Sequence, residues 1–275
     1  MKKKIMALGL VVMLSAMIFA GCGSTSKESN ANPIADGKLT IAVDDTYLPM
    51  EFRDDQNNLV GFDIDFANAL SKALGVEVEF TTVAWDGIFN GLNASQYDAI
   101  ISSTSITPER QNGFNQTNPY ISNGIVIVSR TDATPIASFE ALDGKTLGAQ
   151  IETSADIAAK KLKEDKGTNV EIKEFDGMLD AFSALKGKQI DNIITDIGVA
   201  EYYAAIDPET FVVTSPTLTN EPIGITVRKG EDDFTKTLND AIKKLQDDGT
   251  MTEISMKWFK KDMTKDIDTS LNVIE

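Results

Sequence analysis

The chain has no histidine and a single cysteine in 275 residues. Without histidine it lacks the side chain most used to move protons and bind metals near neutral pH. With only Cys22 it has no internal disulfide and no thiol pair. Basic residues are also scarce, 26 against 42 acidic, a net charge of −16. Nucleic acid is therefore excluded as a partner, because phosphate contacts need a basic face. There is no Gly-x-Ser-x-Gly elbow, Walker loop or Gly-x-Gly-x-x-Gly. Asp63-Ile64-Asp65 lacks the glycine and the spacing of a calcium loop. No residue is assigned to catalysis, to a metal or to a cofactor.

Length favours two domains. The start reads as a leader: Lys2, Lys3 and Lys4, then an apolar run over 5–20, too short for a membrane span. Phe19-Ala20-Gly21-Cys22 looks like a bacterial lipobox, in which Cys22 is acylated and becomes the mature N-terminus, although Phe19 stands where leucine is preferred. The alternative is a plain secretory leader with an incidental cysteine. Residues 1–21 are thus taken as a lipoprotein signal peptide. Residues 22–36, rich in Ser, Asn and Gly, form a tether reaching roughly 20 Å as a coil.

Beyond the tether the chain repeats itself. Phe89-Asn-Gly-Leu92…Gln96-Tyr97-Asp98-Ala99-Ile100-Ile101-Ser102 aligns without a gap on Phe182-Ser-Ala-Leu185…Gln189-Ile190-Asp191-Asn192-Ile193-Ile194-Thr195. Each copy reads as an amphipathic helix, a turn and a buried strand ending in a hydroxyl. The period is longer than the roughly 20–50 residues of solenoid units, so it implies two similar α/β lobes. Strands and helices alternate elsewhere too, which predicts mainly parallel sheets with ligands beyond the strands' carboxyl ends. Strands are expected at 39–43, 76–82, 124–130, 146–149, 170–175 and 222–228. Helices are expected at 63–74, 85–94, 154–162, 199–205, 234–246 and 251–259, with a loose tail from about 261.

Three strand ends carry binding chemistry. After 98–102, a run of hydroxyls leads to Thr107-Pro108-Glu109-Arg110, where Thr107 caps a short helix with Pro108 first. Arg110 offers a planar fork for a carboxylate, unless it pairs with Glu109 or solvent. Thr153-Ser154 opens a helix whose free N–H groups suit an anion, or only cap it. Asp196, the repeat's counterpart of Ser103, suits an ammonium, or only caps. Together they describe the main-chain end of an α-amino acid. Arg110 and Thr153 take the carboxylate and Asp196 the ammonium, gripped fully once the lobes close. Tyr47 and Trp85 supply aromatic walls, whereas Phe52 is assigned to the core. Asp44, Ser102 and Glu152 are placed to read the far end of the ligand's side chain.

These residues resemble the amino-acid-binding family of ABC-transporter solute-binding proteins, family 3. The similar stretches are Asp44-Asp-Thr-Tyr-Leu-Pro-Met-Glu-Phe52, Gly61-Phe-Asp-Ile-Asp65, Ala84-Trp-Asp-Gly87, Ile106-Thr-Pro-Glu-Arg110, Gly224-Ile225 with Arg228-Lys-Gly230, and Asp248-Gly-Thr250 with Lys257-Trp-Phe259. The resemblance implies a two-lobed, type II periplasmic-binding-protein fold. Each lobe is then a mostly parallel sheet flanked by helices, with two hinge strands between them. Lobe 1 is placed at 37–125 plus 223–275 and lobe 2 at 126–222. It also implies a ligand set of Asp44, Tyr47, Trp85, Ser102, Ser103, Ser105, Arg110, Thr153, Ser154 and Asp196. The run Ser102-Ser103-Thr104-Ser105 is similar to members taking arginine, lysine, histidine or ornithine. Glutamine, cystine or another polar amino acid is the alternative ligand. Glu152 departs from the glycine many members carry. The implied partners are an amino acid, an ABC permease and, through the lipid, the outer face of a bacterial cell membrane, with the protein a monomer. The same fold serves some periplasmic dehydratases, the rival class. A sensor or adhesin would need signalling or display segments.

Overall fold

In the computed structural model, residues 32–274 are described; the leader and Cys22 lie outside them. The chain forms two five-stranded sheets built to one plan. Strands β1 (Lys38–Val43), β2 (Thr46–Tyr47), β3 (Glu51–Arg53) and β4 (Leu59–Val60) precede helix α1 (Phe62–Leu74). Then come β5 (Glu77–Thr82), α2 (Trp85–Asn93), β6 (Ala99–Ile100), α3 (Pro108–Gly113) and β7 (Phe114–Gln116). The second sheet follows with β8 (Ile125–Arg130), β9 (Thr146–Gln150), α4 (Ser154–Lys166) and β10 (Glu171–Phe175). It is completed by α5 (Met178–Lys186), β11 (Asn192–Asp196), α6 (Ile197–Ile206) and β12 (Phe211–Val213). The chain returns to the first sheet as β13 (Thr226–Arg228) and ends with α7 (Asp232–Asp247) and α8 (Thr250–Phe259).

The sheet orders are β5-β1-β6-β13-β7 and β10-β9-β11-β8-β12. The first three strands of each sheet run parallel, and the fourth is antiparallel to the third. The repeat units α2–β6 and α5–β11 occupy equivalent places, each supplying the third strand. In each sheet the chain leaves the second strand toward opposite neighbours, β1 between β5 and β6, β9 between β10 and β11. Such a switch in strand order opens a crevice at the carboxyl ends.

Local sequence sets these elements. In α1, Phe62, Phe66, Ala67 and Leu70 fall on one buried face, and Gly75 ends the helix at φ 74°. Gly61, at φ 143°, starts it, and a Cβ there would sit 2.0 Å from the Met50 carbonyl oxygen, so no larger residue fits. In α3, the Thr107 hydroxyl accepts from the Arg110 N–H at 3.2 Å, with Pro108 at the first position, as the sequence predicted.

The chain passes from the first sheet to the second between Gln116 and Ile125 and returns between Val213 and Thr226. The two passages are stitched together: Glu221 N–H donates to Asn123 O at 3.0 Å and Ile223 N–H to Ile121 O at 3.0 Å. The C-terminal segment corrects the expectation of a loose tail. Ser122 N–H donates to Met263 O at 2.8 Å, and Asn220 and Asn272 exchange backbone hydrogen bonds at 2.9 and 3.1 Å. The segment is poor in periodic apolar residues, so its order comes from backbone pairing to the crossings, which composition does not encode. Phe52, assigned to the core, is only half-buried, its ring edge-on to Trp258 at 5.9 Å. Among the described residues no helix is long and apolar enough to cross a membrane.

Candidate functional site

The carboxyl ends of β1, β6, β9 and β11 converge on one cavity with an empty volume of about 300 Å³. All ten residues that the sequence offered as ligand contacts line it, together with Glu51 and Gln150.

Arg110 projects from α3 into this space. Its Nη1 donates to Ser105 O at 3.0 Å, and its guanidinium lies 5.4 Å from the Trp85 ring centroid and 5.3 Å from that of Phe89. The fork is therefore held by a carbonyl and two aromatic faces. Burial lowers the Arg110 pKa, while the Glu221 and Asp196 carboxylates act in the opposite direction. Trp85, expected from the sequence as a ligand-stacking wall, is the platform beneath Arg110. Its Nε1 is buried without a partner.

Asp196 ends β11 at the N-terminal boundary of α6, yet its side chain makes no capping bond. Instead Oδ1 accepts from Asn123 Nδ2 at 2.8 Å and Oδ2 from Tyr47 Oη at 2.8 Å. The carboxylate is thus aimed at the cavity by one side chain from a crossing passage and one from the first sheet's side. Burial raises its pKa, opposed by those two donors and by Arg110. Tyr47 reaches the site as a hydrogen-bond donor to Asp196, a role its ring alone did not announce.

Thr153 does cap: its Oγ1 accepts from Asp156 N–H at 3.2 Å, and Asp156 Oδ2 accepts in return from Glu152 N–H at 3.0 Å. The cap turns the start of α4 toward the cavity. Across the gap, Ser154 Oγ lies 3.2 Å from Ser105 Oγ. Ser102 Oγ accepts from Asp44 N–H at 3.0 Å and donates to Glu51 Oε1 at 2.6 Å, so its main bonds are to the protein. Ser103 sits at φ 46°, and its buried Oγ has no partner.

At the far end, Asp44 Oδ2 accepts from Gln150 Nε2 at 2.6 Å, a hydrogen bond between residues at the ends of β1 and β9. Burial raises the Asp44 pKa, opposed by hydrogen bonds from Thr46 and Gln150. The fit is close nearby: a Cβ on Gly177 would lie 2.7 Å from Thr46 Oγ1. Glu152 is exposed and absent from the lining, which corrects its candidacy as a side-chain reader. Its φ of 59° explains why glycine suits this position.

Sequence reasoning gave no role to Glu51 and Gln150. Gln150 is the last residue of β9, so the strand-end rule applied to the second sheet could have found it. Glu51 follows a turn and enters through β3, outside either main sheet, and no periodicity points to it.

A two-sheet α/β protein with polar groups from both sheets around one small cavity is of the solute-binding class. The sequence profile of the bacterial extracellular solute-binding proteins, family 3, matches residues 39–261, and the chain belongs to this family. It is 30% identical over 262 residues to the L-cystine-binding protein TcyJ of Escherichia coli (strain K12), covering 95% of each chain. It is 34% identical over 226 residues to ABC transporter arginine-binding protein 1 of the same strain, covering 81% of this chain and 90% of that one. Among solved structures, an ancestral arginine-binding protein bound to arginine superposes with a TM-score of 0.77 at 36% identity, over 81% of this chain and 98% of that one. The ancestral amino acid-binding protein AncCDT-1, a precursor of cyclohexadienyl dehydratase, gives 0.75 at 34%, over 82% and 96%.

Proposed function

We propose that the protein is the solute-binding component of an ABC importer, taking a polar, cationic L-amino acid such as arginine, lysine, histidine or ornithine. The observation that carries this reading is the placement of Arg110 and Asp196 around one cavity, Arg110 from the first sheet's side and Asp196 from the second's. A guanidinium and a carboxylate so disposed match the two charges of a zwitterion. Ser105, Thr153 and Ser154 add hydroxyls beside the carboxylate position. Asp44 and Asp196 give the lining two aspartates against one arginine, which favours an extra positive charge on the ligand.

In this reading the first sheet, with both chain ends, is lobe 1 and the second is lobe 2. The paired crossings are hinges, and the cross-cleft bonds Asp44–Gln150 and Tyr47–Asp196 belong to the closed form. The loaded protein, a monomer, delivers its ligand to a permease rather than transforming it. Turnover assays with candidate dehydratase substrates separate the two classes.

A thermal-shift panel of the common amino acids plus cystine and ornithine tests the reading. A basic amino acid is expected to raise the melting temperature most. No shift with any amino acid would end the proposal, and a largest shift with glutamine or cystine would redirect it to a neutral ligand.

The family is extracytoplasmic, and the lipobox-like segment before Cys22 supports anchoring of this chain by a lipid. Cys22→Ser is expected to leave ligand binding intact and release the protein from membranes. Retention in the membrane fraction would remove the anchor.

A further inference from the structure

Glu51, in the cavity lining, and Asp63, outside it, are two buried carboxylates, both fully shielded from solvent. Their surroundings treat them differently. Asp63 Oδ2 accepts from Ser103 N–H at 2.7 Å and Oδ1 from Tyr120 Oη at 2.9 Å. Glu51 accepts only from Ser102 Oγ, through Oε1, while its Oε2 has no hydrogen-bond partner and the residue lines the cavity. The backbone locks them together, since Asp63 N–H donates to Met50 O at 2.9 Å. No lysine or arginine forms an ion pair with either among the described residues. The titratable groups around them are Asp44, Tyr47, Tyr120 and Asp196, all acidic in type.

Two adjacent buried carboxyls without a cation keep one proton between them. Burial first, and the Asp63 charge second, hold the Glu51 carboxyl protonated well above its usual range. Burial lifts Asp63 to about 6, with its hydrogen bonds opposing. Asp63, whose carboxylate takes two donors, is thus the ionised member of the pair, and Glu51, which takes one, is the neutral acid beside it.

We propose that Glu51, backed by Asp63, is a proton-exchanging wall that lets this cavity take either a neutral polar or a cationic amino-acid side chain. This rests on the amino-acid reading above. A neutral side chain meets Glu51 as the uncharged acid. A guanidinium or ammonium displaces the proton: the Glu51 O–H bond breaks, the proton passes to solvent, and the carboxylate left behind pairs with the cation. Charge then balances in both complexes, and the site needs no second arginine or lysine of its own.

Calorimetry with L-arginine and L-glutamine, in pH 7 buffers of differing ionisation enthalpy, reads the proton count directly. The two probes share their α-groups, so any difference belongs to the side chain. L-Arginine is expected to release about one proton more than L-glutamine. In Glu51→Gln this difference should vanish and arginine affinity fall by on the order of tenfold or more. Equal proton release by the two probes, its persistence in Glu51→Gln, or glutamine binding without any arginine binding would each overturn the proposal. Binding of neither, nor of any amino acid in the panel, would instead remove the reading beneath it. Should Glu51→Gln fail to fold, carbon-13 spectra of glutamate-labelled wild-type protein at pH 7 decide. One protonated glutamate carboxyl should shift to the carboxylate position when L-arginine is added, and its absence before addition would sink the idea.

Discussion

Arg110→Ala is expected to weaken amino-acid binding by about 2–5 kcal/mol, the usual cost of truncating one partner of a buried charged pair. That is roughly thirtyfold to a few thousandfold in affinity. The size follows from how the residue is held. Thr107 caps the helix that carries it, Ser105 O takes one N–H, and Trp85 and Phe89 pack against its faces. Little ordering remains to be done on binding, so the contact is preorganised. Alanine would also leave the Glu221 and Asp196 carboxylates without the nearby cation that opposes their burial. Calorimetry on the folded variant checks this, and a change below about threefold would remove Arg110 from the carboxylate role.

Asp196→Asn is the second large effect. The substitution keeps the shape but removes the charge that an ammonium would meet, and it puts an amide N–H₂ toward Asn123 or Tyr47, which now donate to the carboxylate. A loss of about 2–4 kcal/mol is expected for the amino acid. A desamino analogue, which has no ammonium to lose, should be affected far less. Equal losses for both would count against the ammonium role. The wild-type site also has a pH signature. Burial raises the Asp196 pKa, so its charge disappears on acidification sooner than that of an ordinary aspartate. Affinity should therefore fall as pH drops through that range. A flat profile into the acid range would contradict it.

Legibility differed between the fold and the site. The helix–strand repeat is visible because the apolar residues of α2 and α5 and the strands that follow share one periodicity, and that periodicity is set by burial on one face. Thr107-Pro108 and Gly75 are likewise local signals, since capping and left-handed turns are decided within a few residues. The cavity-lining residues Asp44, Ser102, Thr153 and Asp196 could be named as candidates because parallel α/β sheets present that edge to ligands. Their bonding partners could not. Tyr47 donates to Asp196 across 149 positions of sequence and Gln150 to Asp44 across 106. No local rule links residues so far apart.

The sequence by itself determined the alternation of strands and helices, the repeat, the acidic balance, the lack of histidine chemistry and the strand ends where ligand groups would gather. These depend on residue type and near-neighbour spacing, which the chain carries without folding. Only the tertiary structure decided that Asp196 is turned inward by Asn123 and Tyr47, that Glu51 stands beside Asp63, that Glu152 faces solvent, and that the C-terminal segment is stitched to the crossings. Each of these follows from which distant groups come to share one desolvated space. Burial then fixes their hydrogen bonds and protons through the whole surrounding, not through the residues next in line.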